Sequence, residues 1–497
     1  MKKIIKTLQE LQDTLSSVDC SVLSLDTETD SLDYYSQNLL GISLYNGVDA
    51  FYIDTPSTES LHYLNQYMKD HTYIVIMHNS VFDIKVLRKY GLDLLVIPAI
   101  VDTMILDHLV DENRSHGLKD LAKLLLGKTD VITWEESHKY GVHSKEFADY
   151  AMNDVIYTWE LYNFLMPIIE RENLLSLYKN IEMRYIKVLV EMEELGVLVN
   201  KELVDNTTRE LQIELERLEL EMLKMLNEPY QMQFDLMGGM KIVSNINFNS
   251  SAHLSDILFN RLGFKSVGQT ETGKEKTGKE VIDELKGQHP FIDLLYNYKV
   301  NQKLLNAFFK PLPEHVNGDG RVRPRYNDTG TATGRLSCQN PNLQQLPKSK
   351  EDSKVNVRKC FIAPPGKKLI TCDYSGQELR ILAEVTQDQN LIDAFNSGRD
   401  FHSETAKQFG VSRSQAKAIN FGIAYGKGAY GFSKDFKITE DEAQKILDNY
   451  FNSFPKVKQS MFQTKRELDK TDKVTNLFGR HRRFQKVGGN GQFWHVK

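Results

Sequence analysis

"SVLSLDTETD", residues 21–30, decides how the first third of the chain is read. Ser21-Val22-Leu23-Ser24-Leu25 alternates like a strand. Asp26-Thr27-Glu28-Thr29-Asp30 follows without a break. At period two, Asp26 and Glu28 leave an extended backbone on the same side. Two carboxylates so placed at a strand end can share divalent cations, which take several oxygen ligands. An isolated DxE is more often a solvated turn, so the reading depends on what surrounds it.

Working outward, Tyr73–Met77 reads as a second strand running into a helix over His78–Leu87. Asn79 and Asp83 stand four apart, which predicts a shared helical face. Asp83 alone would also suit the positive end of a helix dipole. Further on, Phe147–Asp154 begins a long helix, on which Tyr150 and Asp154 again share a face. A surface helix would explain that pair taken alone.

The order of the pieces is more specific than any one of them. DxE on a strand, then NxxxD, then YxxxD, with Ser115–Gly127 (SHGLKDLAKLLLG) between, resembles the DEDDy 3′→5′ exonuclease family over roughly residues 1–165. The resemblance implies an α/β domain with a ribonuclease H-like mixed sheet over residues 1–168. It implies that Asp26, Glu28, Asp83 and Asp154 hold two divalent cations, Mg²⁺ or Mn²⁺, about 4 Å apart. Tyr150 would orient the attacking water, and Asn79 would position DNA without ligating metal.

Composition sets the wider frame. At 497 residues the chain exceeds one core, and 41% apolar with 26% charged content is ordinary for a globular protein. No apolar run is long enough for a membrane span, and the N-terminus does not read as a signal peptide. Cys20, Cys338, Cys360 and Cys372 follow no metal spacing and are expected as thiols in a reducing compartment. Residues 1–170 carry 13 Lys and Arg against 26 Asp and Glu; the remainder carries 49 against 41. An acidic part beside a basic part suits a metal site joined to a polyanion-binding surface. Solvated faces of unequal composition would give the same split.

The middle reads as helices. One ends at Leu195 with Gly196 as its cap, another covers 201–227, and a third is expected from Val281 to Phe309. Between them lies a polar, Gly-rich stretch through Gly238-Gly239 and Thr270–Gly278 that lacks P-loop spacing. In Arg321–Pro347, Arg335, Asn342, Gln344 and Gln345 are suited to phosphates or groove edges. Next, Lys368–Cys372 reads as a strand delivering Asp373, followed by Tyr374-Ser375-Gly376-Gln377-Glu378. In "RSQAKAINFGIAYG", Arg413, Lys417, Phe421 and Tyr425 recur every four residues, two cations and two aromatics on one helical face.

"TATGRLS", "DYSGQELR" and "RSQAKAINFGIAYG" resemble family A DNA polymerases in order and spacing. The resemblance implies an α+β right hand over residues 169–497: thumb at about 200–310, part of the palm at about 311–400, fingers at about 401–497. Asp373 matches the first metal-binding carboxylate, assisted by the Tyr374 carbonyl. Glu378 matches the steric gate against a ribose 2′-OH. Gln377 falls in the same nucleotide-binding motif. His402, Arg413 and Lys417 match phosphate contacts, with Lys417 the general acid for pyrophosphate. Phe421 and Tyr425 match the sugar pocket and the residue closing the template position, and Arg335 the minor-groove reader. Asn342 and Gln344 join it as expected DNA contacts.

The family's later His-Asp-Glu motif is absent from this sequence. The expectation is therefore an incomplete palm, truncated before that motif, and poor or no polymerisation by this chain alone. Expected partners are primer–template DNA and dNTPs. A second chain or exon product carrying the missing motif, and a processivity factor, are further partners the reading allows. The family pattern suggests a phage replicative enzyme with proofreading, acting in a bacterial host cytoplasm. The alternatives are a stand-alone 3′→5′ exonuclease and a non-catalytic primer–template-binding subunit.

Overall fold

The strand that carries Asp26 and Glu28 is central to a six-stranded mixed sheet. In this computed structural model all residues are described except 32, 34, 235–239, 267, 271–272, 349–354 and 485–497. The strands are β1 (Lys2–Ile5), β2 (Val22–Thr29), β3 (Leu39–Tyr45), β4 (Ala50–Asp54), β5 (Ile74–Met77) and β6 (Ala99–Asp102). Their order is β1-β4-β3-β2-β5-β6. β3 runs antiparallel to β2 and β4; β2, β5 and β6 are parallel. The β2 residues Leu23 and Leu25 are fully buried, and so is Ser24 between them. Burial on both faces is the mark of a strand covered by helices on each side. Gly41 pairs with Glu28 in the register, and the Tyr52 ring occupies the space a Cβ at Gly41 would need.

Local chemistry starts the covering helices. Thr7 and Glu10 form a capping box at Leu8–Ser16, and Ser57 caps Thr58–His71. Asp102 caps Thr103–Val110, and Ser144 caps Lys145–Arg171. The last of these is 27 residues long and tolerates Pro167 near its end. The boundary expected at 168/169 falls inside this helix, and the apolar core that begins at Ile5 continues to Val190.

By internal contacts the chain forms two compact units. The first holds residues 1–190, 328–336 and 370–497. Besides the sheet it contains a helical core built from Leu379, Leu391, Phe401, Ile419, Phe432, Leu447 and Tyr450. A short hairpin pairs Lys473–Thr475 with His481–Arg483. The hairpin docks on the acidic sheet domain: Arg482 and Arg483 both pair with buried Glu112, Lys473 with Glu172 and Arg480 with Glu182. The second unit holds 191–327 and 337–369. Its helices Lys201–Met225 and Pro290–Leu304 pack together, and a three-stranded sheet joins Val197–Val199 to Arg321–Val322 and Phe361–Ile362.

Two sequence expectations need correction. The helix expected over 281–309 is broken into Lys279–Leu285 and Pro290–Leu304, the second continuing as a wider turn over Leu305–Phe309. His289 leaves the helical region at φ −155° and caps the second helix, with Pro290 in its first turn, where proline is tolerated. The strand expected at Lys368–Cys372 is not formed. Ile370 is 83% exposed, and no described strand pairs with the stretch. An apolar run becomes a strand only where a neighbour completes its ladder. The Gly238-Gly239 stretch lies outside the described residues, as do parts of the 270–278 loop.

Candidate functional site

The topology brings together carboxylates that the sequence separates by up to 128 positions. β2 presents Asp26 and Glu28, and helix Lys145–Arg171 crosses beside β2 carrying Tyr150 and Asp154. Asp26, Glu28 and Asp154 offer ligand oxygens within 4.8 Å of one another. Among the described residues no other group of three acidic, histidine or cysteine side chains meets so closely. Asp83, in the first turn of helix Ser80–Lys89, is buried at the same place. The Thr27 hydroxyl donates to Asp83 Oδ1 at 2.5 Å, and the Thr27 amide at 3.2 Å. All four carboxylates and Tyr150 line one cavity of about 210 Å³, with Thr27, Thr29, His78, Asn79, Phe82, Met104, Leu118, Lys119 and Trp134 completing its walls.

The electrostatics are those of a site short of positive charge. Burial, then the neighbouring Asp83, Glu28 and Asp154, holds the Asp26 carboxyl well above the usual range. Burial, then Asp154, does the same to Glu28. Asp83 is pushed up to about 7 by burial against the opposing Thr27 hydrogen bonds. Burial raises Asp154, opposed by Lys119. Tyr150 is held neutral, its phenol raised by burial and then by Asp154. Glu28 Oε1 is buried without a hydrogen-bond partner. Packed like charges and an orphaned carboxylate oxygen are what a bound divalent cation would relieve, so the donor set fits one.

Asn79 corrects one expectation. It lies before the helix rather than on it, in the left-handed region at φ 65°. Its amide and that of Ser80 donate to Asp102 at 3.2 and 2.6 Å. Asn79 therefore reaches the cavity from a turn pinned by the start of the next helix. Asp102 and Lys119 were missed in the sequence. An aspartate at a strand end reads as a helix cap, which Asp102 also is, and Lys119 reads as the polar side of an amphipathic helix. Lys119 instead enters the cavity and ion-pairs with Asp154.

The second group of candidate residues forms two smaller constellations in the first unit. Glu378 Oε1 accepts from Arg335 Nη2 at 2.9 Å and from the Tyr425 hydroxyl at 2.6 Å. Glu378 stands in the first turn of helix Gln377–Thr386, and Tyr425 caps the end of helix Arg413–Ala424. On the latter helix Lys417 is exposed, and Arg413 makes a two-pronged pair with Asp400 at 3.1 and 2.8 Å. His402 packs 5.7 Å from the Phe421 ring and is 3.1 Å from Asn420 Nδ2. Phe421 also packs against the helical core, so that face is partly structural. Asp373, Tyr374 and Gln377 are exposed at the approach to helix Gln377–Thr386, not at a strand end. In the second unit, Asn342 caps the turn Leu343–Gln345 and accepts from the Gln344 amide, leaving both side chains exposed.

Comparison with known proteins assigns both regions. Residues 2–170 match the 3′-5′ exonuclease family, and residues 207–493 match DNA polymerase family A. DNA polymerase I of Borreliella burgdorferi is 32% identical, covering 98% of this chain and 54% of that protein. That of Treponema pallidum is 30% identical, covering 95% and 52%. The thermostable DNA polymerase I of Thermus aquaticus is 37% identical over 63% of this chain and 37% of its own. The chain thus spans about half the length of the spirochaete relatives it matches. The structure of the POL domain of Pol1 from M. smegmatis, in complex with DNA primer-template and dNTP, superposes with a TM-score of 0.82 at 25% identity. That match covers 97% of this chain and 82% of the other. Among the described residues no helix is long and apolar enough to cross a membrane.

Proposed function

The chain belongs to DNA polymerase family A and carries a 3′-5′ exonuclease domain, and from that premise we propose that it shortens DNA 3′ ends at the Asp26–Glu28–Asp83–Asp154 cavity. The observation that carries this is the convergence of Asp26, Glu28 and Asp154 within 4.8 Å, beside Tyr150. A divalent cation, Mg²⁺ or Mn²⁺, held by the four carboxylates would supply Lewis-acid stabilisation of the phosphate and a more acidic water. The chain's own residues do the rest. Thr27 fixes the Asp83 carboxyl by two hydrogen bonds. Tyr150, kept neutral, can donate and accept at once and so orient a water against the scissile phosphate. Phe82, Met104 and Trp134 give the terminal nucleotide an apolar wall on which a base can stack.

Around Glu378 the proposal is a nucleotide and primer-end site. Glu378, tied to Arg335 and Tyr425, would stand against the sugar. Lys417, Arg413 and His402 would meet the triphosphate, with Phe421 and Tyr425 beside the sugar and template base. Primer–template and dNTP are the substrates this implies, with Asp373 and the Tyr374 carbonyl as the metal ligands and Asn342 and Gln344 on the DNA. Bacterial cytoplasm is the setting it fits.

Exposure of Asp373, outside any close acidic group among the described residues, favours a second reading in which this chain acts chiefly as the nuclease. A labelled primer–template with Mg²⁺, with and without dNTPs, separates the two. Shortening in both lanes is expected. Lengthening with dNTPs would establish polymerisation by this chain, and no change in either lane would refute the nuclease assignment.

A further inference from the structure

Among the described residues, Lys119 is the one lysine or arginine that lines the carboxylate cavity, and nothing in the proposed chemistry uses it. It stands in the first turn of helix Leu118–Leu126, behind the Gly117 cap. Its ammonium ion-pairs with Asp154 Oδ1 and lies 4.2 Å from the centre of the Tyr150 ring. This is not a surface pair: the Lys119 side chain is 22% exposed and that of Asp154 only 6%. Asp154 is also one of the three carboxylates whose oxygens converge within 4.8 Å. The ammonium is therefore paired with a carboxylate that a divalent cation at this point would also use. A positive charge fixed there also repels a second one.

We infer that Lys119 is a resident counter-cation that holds Asp154 and Tyr150 in place and competes with the divalent metal for Asp154. Metal entry then requires the ammonium to give up Asp154. Lys119 acts through Asp154 and Tyr150, so it is a positioning residue. The inference rests on the reading of this cavity as a metal site.

The test is Mn²⁺ binding to the full chain at about pH 8 without nucleic acid, followed by the paramagnetic resonance of free Mn²⁺. Lys119→Met keeps the length and apolar stem of the side chain and removes its charge. A neighbouring opposite charge moves a carboxylate's affinity for a proton by about 1–3 pK units, so Lys119→Met should tighten Mn²⁺ binding about tenfold. Lys119→Arg should stay within about threefold of wild type, because the charge is kept. In an Asp154→Asn background, Lys119→Met should move the dissociation constant by less than it does in the wild type, since the contested ligand is gone and only the repulsion between the two cations remains. Lys119→Gln serves the same comparison if Lys119→Met loses its native circular dichroism. A folded charge-removing variant with unchanged or weaker Mn²⁺ binding overturns the inference and leaves the metal reading standing. No Mn²⁺ binding by either the wild type or Lys119→Met overturns both.

Discussion

Tyr150 differs from a buried phenylalanine only by its hydroxyl, and that hydroxyl lies among carboxylates with its phenol held neutral. If it orients water, Tyr150→Phe should lower single-turnover release of the 3′ nucleotide by about 10²-fold, in the range of positioned proton-handling groups, with little change in DNA affinity. Asp83 gives a pH prediction. Its carboxyl titrates near 7 in the fold and near 3.9 in an unfolded chain. Between those values the metal-free fold binds more protons than the unfolded chain. Stability therefore falls as pH rises through this window. Asp83→Asn should remove part of that slope, so that in chelator its melting temperature gains on wild type more at pH 8 than at pH 5. An equal difference at both pH values would refute the assignment. The types and order of Asp26, Glu28, Asp83, Tyr150 and Asp154 were legible in the sequence, because period-two and period-four spacing are local. Lys119 was not, because a lysine on an amphipathic helix has the same local pattern whether it faces water or a cavity.

Among the elements, the hairpin Lys473–Arg483 shows how charge is used across long sequence distances. Glu112 is 2% exposed at its side chain and meets two arginines at 2.9 and 3.1 Å. Burial pushes the Glu112 carboxyl up, but the Arg483 amide, its own backbone, Arg482 and the Arg483 charge together hold it below its usual range. Glu112→Gln should cost about 1–3 kcal/mol in chemical denaturation, less than a fully buried pair because both arginines keep some solvent. A loss within experimental error would mean that the hairpin is held by other contacts. The helices over 145–171 and 201–225 were readable from residue pattern alone, without their caps Ser144 and Asn200. The stretch Lys368–Cys372 was not, because its apolar run says nothing about whether a partner strand lies alongside. The break at His289-Pro290 did carry a local signal, since the residue before a proline avoids helical backbone.

Over the whole molecule, the apolar clusters among the described residues are separate: two in the sheet domain, one in the helices after Gln377, and two in the second unit. Unfolding should therefore depart from a single two-state transition, with calorimetric enthalpy exceeding the van't Hoff value. Mg²⁺ or Mn²⁺ should raise the transition that includes the sheet domain, because a ligand stabilises only the unit that binds it. One sharp transition moving as a whole would show that the cores are coupled. By itself the sequence determined the two families, the acidic and basic parts, and which residue types recur at strand and helix periods, all of which are written in neighbours a few positions apart. Only the tertiary structure decided that β2 lies between β3 and β5, and that the helix bearing Asp154 crosses it. It also decided that Lys119 fills a place among the carboxylates and that Asp373 stands exposed. Those facts depend on which faces meet across a hundred residues, and side-chain periodicity specifies a face without naming its partner.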